Sequence, residues 1–151
     1  MSALRHERID LPVLPLDTSA LSSHARHLRT WRNAMFALFA AGGFALAAWV
    51  SRTPAVRDSL DASTAAMGWL IFAMAGGAVI GLLSAGPAIT RLGAGPVIRT
   101  GLITAAAGLS VIAVGTMLGA APIAFAGLVL FGLGFGSGEV AMNVAGAANE
   151  R

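Results

Sequence analysis

Charged residues divide the chain into long apolar intervals. Residues 33–51, 62–90 and 100–138 carry no charge, and these intervals are 19, 29 and 39 residues long. A helix rises about 1.5 Å per residue, so the longest interval would make a rod of roughly 58 Å, nearly twice the hydrocarbon thickness of a bilayer. It therefore folds back once. Gly119, Ala120, Ala121 and Pro122 mark the reversal, because glycine ends helices and proline fits their first turn. The pattern predicts an all-α integral membrane protein with four transmembrane helices, at about 34–51, 64–90, 97–118 and 122–148.

The joints are equally patterned. Ser63 or Thr64 is placed to cap the second helix after the polar stretch 58–61. Between the second and third helices, a loop around residues 91–96 holds two glycines and a proline, and its brevity makes those helices antiparallel neighbours. Residues 1–30 are polar or mixed, with no apolar run beside the start of the kind a signal peptide requires. They read as a cytoplasmic N-terminal tail, with residues 31–151 as the transmembrane domain.

Composition supports membrane insertion. Of the 151 residues, 56% are hydrophobic and only 11% are charged, too few to solvate the surface of a soluble domain. Mean hydropathy is +0.77. The ten basic residues are all arginine, which points weakly to a GC-rich bacterial genome. Arg5, Arg8, Arg26, Arg29, Arg32, Arg91, Arg99 and Arg151 lie on one side of the predicted topology, and Arg52 and Arg57 on the other. Cytoplasmic loops carry the excess of basic residues, so both termini are expected in the cytoplasm of a bacterial inner membrane. The net charge of +3 then has a topological origin, and nucleic acid is not an expected partner. The absence of cysteine excludes disulfides and thiol chemistry.

Candidate chemistry is sparse. Glu139 is the one acid inside a predicted span, and an unpaired carboxylate at that depth costs several kcal/mol unless it faces protein, water or a proton. Gly132, Gly136, Asn143, Gly146 and Glu150 lie at three- or four-residue helical spacing around it, which predicts a small, polar, inward stripe. On this pattern Glu139 is either a proton carrier or a structural acid. Asn143, one turn on, either binds a polar solute or holds the carboxylate. Trp49 suits the interfacial belt or a stacking contact with a sugar-like ligand, while Arg52, Thr53 and Pro54 suit a helix end at the water boundary. His24 and His27 alone make a poor metal site, so neither metal nor cofactor is expected. No nucleophile–base pair or phosphate loop is present, and the glycine run 132–138 lacks a following lysine; the sequence does not read as an enzyme. Glycines at helical spacing (Gly77 and Gly81, Gly101 and Gly108, Gly132 and Gly136) predict close helix packing in lipid.

Three segments carry a resemblance. Residues 86–99, GPAITRLGAGPVIR, resemble the cytoplasmic motif G-x-x-x-D-R-x-G-R-R of major facilitator superfamily permeases, matching at Gly86, Arg91 and Gly93. Thr90 stands at the acidic position and Ala94 and Gly95 at the paired basic ones, so the charge latch of that motif is incomplete, and Arg99 is the candidate replacement cation. Residues 47–60 and 134–151 look like the fucose-permease-like branch of bacterial transporters. The resemblance implies a secondary transporter with about twelve helices in two halves and its substrate between them. This chain would then be an N-terminal portion, with the remaining helices of the same transporter, or further copies of itself, as partners. It also implies that Glu139 couples solute movement to protons, and that Trp49, Arg52 and Asn143 are substrate candidates. Two alternatives stay open: a complete four-helix transporter working as a dimer, and a non-transporting membrane scaffold whose residues 11–16, LPVLPL, dock a partner.

Overall fold

The computed structural model describes residues 18–148, with side chains from residue 29 onward. The described residues are all-helical: α1 (Thr18–Ser59), α2 (Thr64–Leu92), α3 (Ala94–Met117) and α4 (Ala121–Ala148). Each contains a stretch long and apolar enough to cross a membrane, the first lying within Arg29–Ser59. The chain forms two units, one up to Ala34 and one from Met35 onward. Within the first, the helix begins at Thr18, so the expected tail is helical over its second part. Residues 11–16 and Glu150 lie outside the described residues.

Two boundaries differ from expectation. The first helix does not end at Ser51 but runs through Pro54 to Ser59. Proline deprives Val50 of its usual amide partner. Val50 and Pro54 are both exposed, so the carbonyl that loses its partner lies on the outer face of the helix. Hydroxyls bind carbonyls around the break: Ser51 donates to Ala48 at 3.0 Å and Thr53 to Trp49 at 3.3 Å. The expected 91–96 loop shrinks to one residue. Gly93 adopts φ 84°, a conformation open to glycine, and its amide donates to the Ile89 carbonyl at 2.8 Å. Pro96 then falls in the first turn of α3, where no intrahelical amide is needed.

The other joints follow the sequence. Ser63 caps α2, its hydroxyl accepting from the Ala66 amide at 3.2 Å. Gly119, at φ 62°, turns the chain from α3 into α4. Asp61, at φ 47°, turns it between α1 and α2, a role to which a short polar side chain is suited.

The second unit is organised around α4. It packs along both α2 and α3, which scarcely touch each other despite their one-residue joint. Glycines permit both approaches. A Cβ at Gly132 or Gly136 would collide with the backbone of Met74 or Ala78 on α2, and one at Gly134 with the backbone of Gly101 and Ala105 on α3. The pairing places α4 parallel to α2 and antiparallel to α3. Two apolar clusters form at opposite ends. One gathers Trp49, Val56, Met67, Leu70, Ile112, Leu128 and Phe131; the other Val97, Ile98, Ala141 and Met142, with Met35 and Leu38 against it. From Met35 onward, α1 thus contributes to both clusters, and between them it borders a cavity.

Candidate functional site

That cavity has a volume of about 330 Å³ and is walled by α1, α3 and α4. α1 supplies Phe39, the small residues Ala41, Gly42 and Gly43, and then Ala45 and Leu46. Leu102, Ala105, Ala106 and Leu109 form the α3 wall. Phe131 and Phe135 stand on the α4 wall with ring centroids 5.9 Å apart, and Met142 closes the far end. Glu139 is the only charged residue lining this space. No arginine or hydroxyl faces it there, so whatever the carboxylate meets in the cavity must come from outside the lining.

The setting has a local cause. α4 spends one glycine face on α2 and another on α3, leaving its third side toward the cavity, and Glu139 stands on that side. The expected inward stripe is therefore divided. Gly132 and Gly136 are buried against α2, whereas Glu139 and Asn143 are exposed. Glycine at helical spacing marks where backbones meet, and it does not extend the face of the acid. Asn143 also fails to reach the cavity: Met142 occupies that end, and Asn143 lines no part of the wall. The idea that Asn143 supports the Glu139 carboxylate has no contact behind it.

A second cavity, of about 390 Å³, lies further along α1 and α3 toward Ser59. Trp49 and Arg52 both border it, together with Val56, Leu109, Ile112, Ala113, Thr116 and Met117. The sequence-predicted pair is brought together, but its members play different parts. Trp49 is only 5% exposed and belongs to the apolar cluster. Its ring is enclosed by protein, and α1 continues for ten residues beyond it instead of ending near Ser51. Arg52, by contrast, is exposed at the cavity.

The motif residues sit apart from both cavities. Arg91 is in the last turn of α2, where a cation complements the helix C-terminus. Gly93 makes the joint, and Gly86 is exposed with open space where a Cβ would stand. His24 and His27 lie within α1. Among the described residues no group of three potential metal ligands occurs.

Sequence reading missed three contributors. Leu109 borders both cavities, and Phe131 and Phe135 wall the first. A leucine or phenylalanine in an apolar span carries no signal that separates a wall from a lipid-facing position. A third cavity, of about 210 Å³ between α2, α3 and α4, is lined by Ser84, Thr100, Thr104 and Ser137. Three of these hydroxyls donate to carbonyls of their own helices, as Ser84 does to Gly81 at 3.0 Å and Ser137 to Leu133 at 2.9 Å. That is the ordinary use of a hydroxyl in an apolar span. In comparisons with protein families, curated proteins and solved structures, nothing matches this chain.

Proposed function

We propose that this chain is the proton-coupling part of a secondary transporter for a small solute, with Glu139 as the proton carrier. One observation carries the reading: a single acid opens onto an otherwise apolar cavity lying between two packed apolar clusters. Glu139 is the one group on that wall able to carry a proton, so on this reading proton movement through the space passes by way of it. The glycine contacts of α4 let helices touch without interlocking side chains. The likeness of residues 47–60, 86–99 and 134–151 to major facilitator permeases supports the same function. On this reading further helices of the transporter, or a second copy, complete the translocation path.

The proposed setting is a bacterial inner membrane with both ends cytoplasmic. Four candidate spans return the chain to its starting side, and the arginine excess selects that side. The chain has no native thiol, so single cysteines report topology cleanly. Cysteine at Ser59 or Ala120 is expected to react with an impermeant reagent from outside and cysteine at Ala94 only from inside. Outside labelling at Ala94 would reverse the orientation.

The functional test uses the full protein in liposomes that contain a pH-sensitive dye. Hexoses and monocarboxylates are added in turn under an inward proton gradient. Wild type is expected to give solute-dependent acidification of the lumen, and Glu139→Gln to abolish it while retaining solute exchange. The amide is cheaper to bury than the carboxylate, so a purely structural acid would tolerate this change. Undiminished proton entry in Glu139→Gln would remove the coupling role.

A further inference from the structure

The seam between α1 and α3 carries two cavities, and Leu109 borders both. Their charges are opposite. Glu139 is the sole charged lining of one, and Arg52 the sole charged lining of the other. The Arg52 cavity is otherwise apolar apart from Thr116. The Thr116 hydroxyl already donates within its own helix, at 3.0 Å to Ile112 and 2.8 Å to Ala113. Arg52 and the Trp49 indole N–H are therefore the donors left to offer a guest, and of the two only Arg52 is charged. Its guanidinium is permanently charged and matches the planar fork of a carboxylate or the oxygens of a sulfonate.

We propose that the Arg52 cavity is an anion-selecting vestibule and that Leu109 is the constriction separating it from the Glu139 cavity. The ligand class is a small organic anion whose apolar body lies against Val56, Ile112 and Met117 while its anionic end meets Arg52. The link to transport rests on the Glu139 reading above. One monovalent anion passing with one proton bound to the Glu139 carboxylate moves no net charge, which suits a route with apolar walls. Glu139 releases the proton, and regains its negative charge, when the anion leaves.

The test reads side-chain chemistry rather than transport, so it stands or falls separately from the proton assay. The full chain carries one introduced thiol, Ala113→Cys beside Arg52 or Ala106→Cys in the Glu139 cavity. In phosphatidylcholine vesicles it is treated, from the Arg52 side, with methanethiosulfonates bearing either a sulfonate or a trimethylammonium group. At Ala113→Cys the sulfonate reagent is expected to react about tenfold faster than the cationic one, as a single nearby charge in a low-dielectric wall allows. Arg52→Gln should erase that preference and Arg52→Lys should retain it. Benzenesulfonate in the bath should slow the reaction in wild-type Arg52 only. Ala106→Cys should react slowly from this side and about tenfold faster once Leu109→Ala opens the constriction, with Leu109→Met leaving it slow. Equal rates for the two reagents, indifferent to Arg52→Gln, would overturn the vestibule. Slowing by added phosphatidylglycerol but not by benzenesulfonate would make Arg52 a lipid-headgroup contact and overturn it as well. Equal labelling of Ala106→Cys with and without Leu109→Ala would overturn the constriction.

Discussion

α1 and α4 are both apolar enough to cross a membrane, yet they occupy their surroundings in opposite ways. In the most apolar stretch of α4, 44% of residues are buried; in that of α1, 11% are. α4 achieves this with glycines on two faces and with Phe131 and Leu128, the largest side chains fully enclosed. α1 presents Phe36 and Phe44 outward and contributes to the core mainly through Trp49 and Val56 and through Met35 and Leu38. Hydropathy does not distinguish the two, since lipid and protein core are comparably apolar solvents for a side chain. The difference lies in what can approach the backbone. Gly43 and Gly42 of α1 meet little or nothing, while Gly132 and Gly134 of α4 meet the backbones of neighbouring helices.

That contrast can be broken most severely at an aromatic ring. Phe131 is 1% exposed, and Phe131→Ala is expected to destabilise the protein by about 3 kcal/mol through the void it leaves. Phe36→Ala, on a ring 67% exposed, should change stability by less than about 0.5 kcal/mol. Reversible unfolding in mixed micelles of increasing denaturing detergent measures both. Equal losses would mean that α1 is packed as tightly as α4.

Glycine substitutions give a smaller effect with a change of sign. Gly132→Ala forces a Cβ into the α2 backbone and should cost about 2 kcal/mol. Gly43→Ala adds a Cβ in open space and should stabilise by roughly 0.5 kcal/mol, because alanine loses less backbone entropy in a helix. The same titration ranks the two variants on either side of the wild type. Destabilisation by Gly43→Ala would reveal a close neighbour on α1.

Some of the site was legible before any coordinates. Glu139 stood out because a charge within an apolar span is costly enough to require a reason, and it does open onto a cavity. Trp49 and Arg52, three residues apart on one helix, do border a common space. The stripe through Gly132, Gly136 and Asn143 was misleading. A helical period of 3.6 relates residues on one helix but does not state what faces them, and here those positions meet α2 or remain exposed. The contributions of Leu109 and Phe135 left no trace in the pattern, since any apolar residue satisfies it.

By itself, the sequence determined the four helices, the Ser63 cap, the reversal at Gly119 and the isolation of Glu139. Each follows from local terms: the reach of a helix against the bilayer, the unsatisfied amides of a first turn, the conformations open to glycine, and the cost of a charge in hydrocarbon. Only tertiary structure decided that α4 lies against both α2 and α3, that α1 runs on through Pro54, and that Leu109 borders both the cavity lined by Glu139 and the one lined by Arg52. Those outcomes depend on which backbones approach within contact distance. In an apolar solvent that choice rests on shape, and shape is a property of helices already assembled.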